Sequence, residues 1–310
     1  MAPTDSRPKI LVLLAAHNGA PWIGEQLRSI LTQRDVDIRV VIRDDASTDE
    51  TRDRVAPFLH DATVSLTSAA TPSGSAAQNF FALMRDNPSA GFDFVALADQ
   101  DDEWRPDKLA RACGRLRQDA GAGYSSATLA VWENGRSAVL SQKSRATVSD
   151  FLFGGIGQGC TFVLTAEFYS RTRNFLTLNT ALTRDIHYHD WALYALARAW
   201  NLHWTFDPTP SVLYRQHHRN DTGAKNSVAG VWKRIRLIRD GWYVKQLQAI
   251  ARLCSAANPS QPVVSAWRSI LTAPRTWSRR LRVAGFCLRG GRRGAADNCV
   301  ILLAALAGWL

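Results

Sequence analysis

The stretch Phe94-Val95-Ala96-Leu97-Ala98-Asp99-Gln100-Asp101-Asp102-Glu103-Trp104 decides the fold. An apolar run ends at Ala98 and gives way at once to acidic residues. Runs of this length bounded by polar residues read as buried strands. A strand that discharges carboxylates at its C-terminal end delivers them to the crevice where open α/β sheets bind ligands. Close carboxylates repel one another unless a cation lies between them. A hard divalent ion, Mg2+ or Mn2+, is the usual solution and is often shared with a substrate phosphate. Asp99 and Asp101 are therefore read as a metal–diphosphate site, against the plainer alternative of a solvated acidic turn.

Upstream, Ile10 to Ala15 is a continuous apolar run and reads as a buried strand. Asn18-Gly19 marks a turn, and Pro21 suits the first turn of a helix carrying Ile23, Leu27, Ile30 and Leu31 on one face. Ile38 to Ile42 is the next strand, and it ends in Asp44-Asp45. Ser47-Thr48-Asp49-Glu50 fits a capping box before a helix bearing Val55, Phe58 and Leu59. Thr63 to Leu66 is a third strand, followed by a helix around Ala77 to Met84. Another helix starts after Pro106. Strands alternating with helices of this length mean βαβ units and a parallel sheet. Right-handed crossovers set the C-terminal ends of such strands along one edge. Asp44-Asp45 and Asp99-Gln100-Asp101 are thus expected at one crevice, and two acidic strand ends on one edge suggest a nucleotide site. No G-x-G-x-x-G follows the first strand and no G-x-x-x-x-G-K-[ST] occurs, so the dinucleotide and P-loop readings lose their support.

Further on, Tyr124 to Trp132 reads as a strand, followed by a polar loop to Asp150. Gly154 to Gly159 reads as a flexible loop, where glycine permits close backbone approach to a ligand, and Cys160 to Leu164 as a strand. Arg173 to Arg184 reads as a mobile loop. His187-Tyr188-His189-Asp190-Trp191 opens a helix running to Trp200, with Asp190 placed as a cap would be. Leu202 to Phe206 and Ser211 to Tyr214 read as two short strands. Arg215-Gln216-His217-His218-Arg219-Asn220 is a cationic cluster, either a solvated turn or a clamp on phosphates.

The 38 Lys and Arg against 27 Asp and Glu give a net charge of +11, most of the excess lying after Arg215. That balance implies an anionic partner. Between Val231 and Trp242, apolar residues alternate with Lys233, Arg234, Arg236 and Arg239, as in a helix at a water–lipid interface. Arg289 to Arg293 reads as a Gly/Arg-rich linker. The apolar tail Cys299–Leu310 is too short to span a bilayer, so it docks on the core or lies on an anionic membrane surface. Five scattered cysteines without a C-x-x-C pair indicate neither zinc nor a disulfide framework, and point to reduced, cytoplasmic thiols. Ile10 to Ala16 follows Arg7 and Lys9 like a signal sequence, but it is short and a helix start follows at once, so a first strand is expected. No nucleic-acid-binding motif is present, and no nucleic-acid partner is expected.

With these pieces in place, the chain resembles the family 2 inverting glycosyltransferases, most closely their bacterial rhamnosyltransferase-like branch. The match runs through Leu14 to Gly19, Arg43 to Asp49, Gly74 with Asn79-Phe80, and Ala98 to Trp104 with Pro106 and Lys108-Leu109. It continues through Gly159-Cys160-Thr161, His189-Asp190-Trp191, and Tyr214 to His217 with Asn220 and Gly223. The resemblance implies an α/β GT-A fold over residues 1–223, with a nucleotide-binding half over about 8–120, an acceptor half over about 121–223, and a helical basic extension over 224–310. It implies a nucleotide-diphosphosugar donor, dTDP-rhamnose first, a glycan or lipid-linked acceptor, and Mg2+ or Mn2+. By position, Asp45 looks like the base-binding acid with Asp44 beside it, Asp99 the ribose-side acid, and Asp101 the metal ligand. His217 looks like a second ligand to metal or diphosphate, with His218 as its rival, and Asp190 like the catalytic base. Ala16, Asn18, Asn79, Gln100 and Arg215 fall in the donor motifs, while Trp104, Gly159 and Trp191 suggest a sugar and acceptor platform. Ala46 stands where the family usually has Gly. The implied setting is cytoplasmic, on the inner face of the membrane, in cell-surface polysaccharide synthesis such as that of O-antigen. The rival readings are a sugar-nucleotide nucleotidyltransferase and a non-catalytic membrane scaffold.

Overall fold

The computed structural model describes residues 6–142, 146–217, 236–274 and 276–310. Four parallel strands come first: β1 (Lys9–Ala16), β2 (Asp37–Asp44), β3 (Val64–Ser68) and β4 (Phe94–Asp99), with α1 (Ile23–Leu31), α2 (Thr51–Val55) and α3 (Ala76–Asp86) between them. Their order is β3-β2-β1-β4, with Ala16 paired to Asp44 and Ala15 to Asp99. The two acidic strand ends therefore lie on one edge, on strands flanking β1, as the crossover rule requires.

Beyond β4 the sheet becomes mixed. β5 (Glu103–Trp104), β6 (Gly123–Trp132), β7 (Ser137–Leu140), β8 (Val163–Thr165) and β9 (Trp204–Gln216) extend it in the order β4-β8-β6-β9-β5, with β7 on β6. The β4–β8, β6–β8, β6–β7 and β5–β9 pairs are antiparallel, while β6 and β9 run parallel. The central strands are buried on both faces, and alternate residues feed two cores. Ile10, Val12, Leu14, Ala96 and Ala98 face α1 and α4 (Lys108–Gln118). Leu11, Leu13, Val95 and Leu97 face α3, α5 (Ala166–Leu178) and α7 (His189–Ala199). The same second core takes in α8 (Trp242–Ala257), α9 (Pro262–Thr272), α10 (Trp277–Gly290) and α11 (Ala295–Leu306).

Several local expectations are corrected. Arg173–Arg184 is not a loop: α5 runs through it to Leu178 and α6 (Thr180–Thr183) follows. The polar run Arg171-Thr172-Arg173-Asn174 hides the buried stripe Phe168, Thr172 and Leu176, and Thr165 caps the start by accepting from the Phe168 N–H. Cys160 belongs to a 3-10 turn, Gly159–Thr161, so β8 begins only at Val163. The expected short strands Leu202–Phe206 and Ser211–Tyr214 are one strand, β9; Ser126 pairs with Asp207 and Thr128 with Val212, so the Pro208–Pro210 segment bulges without ending it. The capping box does not form: Ser47 donates to Asp44 instead, and Glu50 makes no side-chain cap. The tail is helical and partly docked, with Ile301, Ala304, Ala305 and Leu310 in the core. Val231 to Ile235, His218, Arg219, Asn220 and Gly223 lie outside the described residues.

Candidate active site

Three loops meet at the edge formed by β1, β2 and β4. After β2 the chain turns through Ala46 at φ +55°, a left-handed conformation that glycine adopts most easily. The Asp44 carboxylate closes this turn: it is fully buried and accepts from the Ser47 hydroxyl and, at 3.3 Å, from the Ser47 N–H. Asp45 points the other way, with its N–H on the Ala16 carbonyl at 2.8 Å. Its carboxylate accepts from the Ser73 N–H and hydroxyl at 2.9 and 2.7 Å and pairs with Arg43 at 3.0 Å. Asn79 ties the two strand ends together, donating to the Ala16 carbonyl and accepting from Arg43. Asn18, at φ +51°, receives the Thr48 N–H at 2.8 Å. Gln100 folds back over Gly19, where a β-carbon would lie 2.6 Å from Gln100 Cδ, and bonds both the N–H and the carbonyl of His17.

The end of β9 supplies the other wall. His217 Nε2 lies 3.0 Å from Asp101 Oδ2, across 116 positions of sequence. Its ring stacks on Trp22 with centroids 3.9 Å apart and planes 8° apart, which fixes its orientation. Arg215 pairs with Glu25 and lies 3.7 Å from Glu103. Two ligands at right angles on an ion with ~2.1 Å bonds lie about 3 Å apart, so this carboxylate–imidazole pair fits one edge of an octahedral divalent ion.

Behind that pair, Asp99, Asp102 and Cys160 bring ligand atoms within 4.8 Å of one another. Asp102 is wholly buried; burial first, then the charges of Asp101 and Asp99, push its carboxyl well above the ordinary range. Lys108 is buried beneath it, with Nζ 3.7 Å from the Trp104 ring centroid, and burial lowers its ammonium to about 7. Nothing in the spacing of Asp102, Lys108 and Cys160 announced this grouping, because it needs the Gly159–Thr161 turn to bring Cys160 under β4.

Cys160 also locates Asp190. A β-carbon at the preceding residue, Gly159, would stand 3.4 Å from Asp190 Cβ and 2.4 Å from His189 Nε2. One peptide unit, ~3.8 Å between Cα atoms, therefore separates the residue against Asp190 from the residue against Asp99 and Asp102. Asp190 sits in the first turn of α7, where its carboxylate accepts from the Trp191 N–H at 2.6 Å. His189 is buried and stacked on Phe80 at 3.9 Å, and burial lowers its imidazole to about 3. Trp104 and Trp191, expected as a sugar platform, are both interior at 3% exposure.

The loop before Gly159 is held from the C-terminal region. Asp150 is buried with Arg198 at 2.8 Å, Tyr194 at 2.8 Å and Arg293 at 3.2 Å. Arg293 also donates to the Gly155 carbonyl at 2.8 Å, and Arg292 to the Phe153 carbonyl at 3.0 Å. Thr147 and Ser149 donate to the Gly290 carbonyl. The expected linker Arg289–Arg293 is thus a packed segment.

A parallel sheet with two acidic strand ends on one edge, continued by a mixed half that carries an Asp on a facing helix, defines a GT-A glycosyltransferase. Residues 11–164 match Glycosyl transferase family 2. The dTDP-rhamnosyl transferase RfbG of Shigella flexneri is 36% identical over 240 residues, 77% of this chain and 83% of that protein. The chain belongs to glycosyl transferase family 2. The putative teichuronic acid biosynthesis glycosyltransferase TuaG of Bacillus subtilis is 32% identical over 107 residues, 34% of this chain and 41% of its own. Among solved structures, S. aureus TarS in complex with UDP superposes with a TM-score of 0.57 at 16% identity, covering 97% of this chain and 87% of TarS. The Pyrobaculum calidifontis mannosyltransferase PcManGT, in complex with GDP-Man and Mn2+, gives 0.52 at 18% identity over 100% of this chain and 88% of its own. These two similarities show the fold.

Proposed function

We propose that this chain transfers a sugar, rhamnose from dTDP-rhamnose as the first assignment, to a hydroxyl of a glycan or lipid-linked acceptor, with inversion at the anomeric carbon. The observation that carries the reading is the contact of His217 with Asp101, beside Asp99, whose neighbour Cys160 directly follows Gly159, the residue against Asp190. The name of the Shigella relative supports the donor, the teichuronic acid biosynthesis named for TuaG supports a role in polysaccharide synthesis, and the Mn2+ named with PcManGT supports divalent-ion use.

In this reading Asp45, Asn18 and Asn79 frame the base and ribose, with Asp99 on the ribose side and Asp44 bracing the turn beneath Asp45. Asp101 and His217 would hold Mg2+ or Mn2+, which when bound neutralises the charge of the leaving diphosphate. Arg215 adds a fixed cation on the same side. Asp190 takes the proton of the acceptor hydroxyl as it attacks, the role of a general base. The carbon bearing the leaving group develops oxocarbenium character. In this reading the enzyme works peripherally at the inner face of the membrane, within reach of a lipid-linked acceptor.

The test offers a panel of sugar nucleotides with and without a chelator, and measures release of nucleoside diphosphate. Release from dTDP-rhamnose that stops on chelation and resumes with Mg2+ or Mn2+ supports the reading. Formation of nucleoside triphosphate and sugar 1-phosphate when pyrophosphate is added to the sugar nucleotide would overturn it in favour of nucleotidyl transfer. The anomeric configuration of the product, read by NMR, decides inversion.

A further inference from the structure

The last 87 residues hold fifteen Lys and Arg against two Asp, so the positive excess of the whole chain resides there. The structure shows where that charge meets apolar surface. Trp277, Leu281 and Leu288 lie on one face of α10 at helical spacing, 66%, 60% and 67% exposed, while Arg279, Val283 and Cys287 on the opposite face are buried. Arg282 and Arg289 flank the apolar stripe and are exposed. Val148 extends it: a β-carbon on Gly290 would lie 3.3 Å from Val148 Cβ. α11 folds back along α10, with Arg279 donating to the Leu310 carbonyl at 3.1 Å and Arg280 to the Leu306 carbonyl at 3.4 Å. It adds exposed Leu303 and Trp309. Six of the nine exposed large apolar side chains among the described residues are these, so the exposed apolar surface is concentrated rather than scattered.

We propose that the α10–α11 hairpin docks on an anionic phospholipid bilayer. Trp277, Leu281 and Leu288 enter the boundary between headgroups and acyl chains, and Arg282 and Arg289 meet the phosphates. An apolar stripe with Trp, flanked by arginines, has the chemistry of such a surface. No helix among the described residues is long and apolar enough to cross a membrane, so the contact is with the surface. The stripe ends at Gly290, whose carbonyl receives Thr147 and Ser149, at the head of the loop that runs past Gly155 to Asp190. Docking therefore delivers a lipid-linked acceptor from the bilayer side of that loop. This last step rests on the transferase reading; the docking itself does not.

The full chain is sedimented with phosphatidylglycerol or phosphatidylcholine vesicles. Binding to the anionic vesicles alone is expected. It should fall more than about tenfold in Leu281→Ser/Leu288→Ser, since each leucine loses its apolar burial. It should also fall in Arg282→Gln/Arg289→Gln, and when salt rises from about 0.1 M to about 1 M. Circular dichroism and sugar-nucleotide hydrolysis in buffer should be unchanged in both variants. Failure of the wild type to bind, or equal binding by the leucine variant, overturns the proposal. So does a dimer in velocity sedimentation that the leucine variant dissolves without any vesicle binding, which would make the face an interface between copies. Vesicle binding without turnover of any sugar nucleotide would instead count against the transferase reading and leave the docking intact.

Discussion

His217 Nε2 stands 3.0 Å from Asp101 Oδ2, with the imidazole held flat against Trp22. The pair joins the end of β9 to the end of β4, and it is too close to be indifferent to what binds between them. Asp101→Asn and His217→Ala are each expected to lower transfer by at least about a hundredfold, the scale of losing one preorganised electrostatic contact. Both should also weaken the Mn2+ dependence of turnover. A metal titration of nucleoside diphosphate release checks this, and an unchanged metal response in both would remove the pair from the site.

Asp190→Asn keeps the shape of the carboxylate and its contact with the Trp191 N–H while removing its basicity. Turnover should fall by about 10²- to 10⁴-fold, with donor affinity, measured by calorimetry, unchanged. Full activity in this variant would take the base role away from Asp190.

Gly159 is required by contact. A β-carbon there would come 2.4 Å from His189 Nε2 and 3.4 Å from Asp190 Cβ. Gly159→Ala must therefore push the loop away from α7, and kcat should drop while the fold survives. Adding His189→Ala vacates the clash, so the double variant should recover part of the lost rate. Equal rates in the single variant and the wild type would show that the loop does not bear on Asp190.

His189 carries a pH signature of its own. Burial lowers its imidazole to about 3, against about 6.5 for an exposed histidine. Between those values the unfolded chain binds the proton and the folded chain does not. The stabilisation is thus fully present above pH about 6.5 and is lost as pH falls toward 3, with a limiting slope of ~1.4 kcal/mol per pH unit. Denaturation midpoints from pH 7 to pH 5 should fall less steeply in His189→Phe, which keeps the stack on Phe80 but cannot charge. Parallel profiles would mean that the ring is hydrated in the folded protein.

The first half of the sheet was legible because its signals are local: apolar runs ending in Asp44-Asp45 and Asp99–Asp101, joined by helices that dictate a common edge. Ala46 holds a left-handed φ that glycine would adopt with less strain. The second half of the chain was harder to read. The polar surface of α5 masks its buried stripe, prolines inside β9 imitate a break, and Cys160 joins Asp99 and Asp102 only through a one-turn helix. No sequence period marks Arg293 as interior, since its partners Asp150 and Gly155 lie about 140 positions upstream.

Arg293 has a further consequence for how such enzymes are taken apart and recombined. Because it shares Asp150 with Arg198 and holds the Gly155 carbonyl, the tail and the loop ahead of Gly159 form one inheritance unit. A fragment ending near Gly223 would strand the Asp150–Arg198 pair and lay bare the apolar side of α7. Breaking one buried charge pair typically costs about 3–5 kcal/mol, a large fraction of the ~5–15 kcal/mol that holds a domain folded. Such a fragment is expected to be recovered only as aggregate, on size-exclusion chromatography of the lysate. Chimaeras that exchange acceptor preference between relatives should carry loop and tail together, with the joint placed ahead of β6.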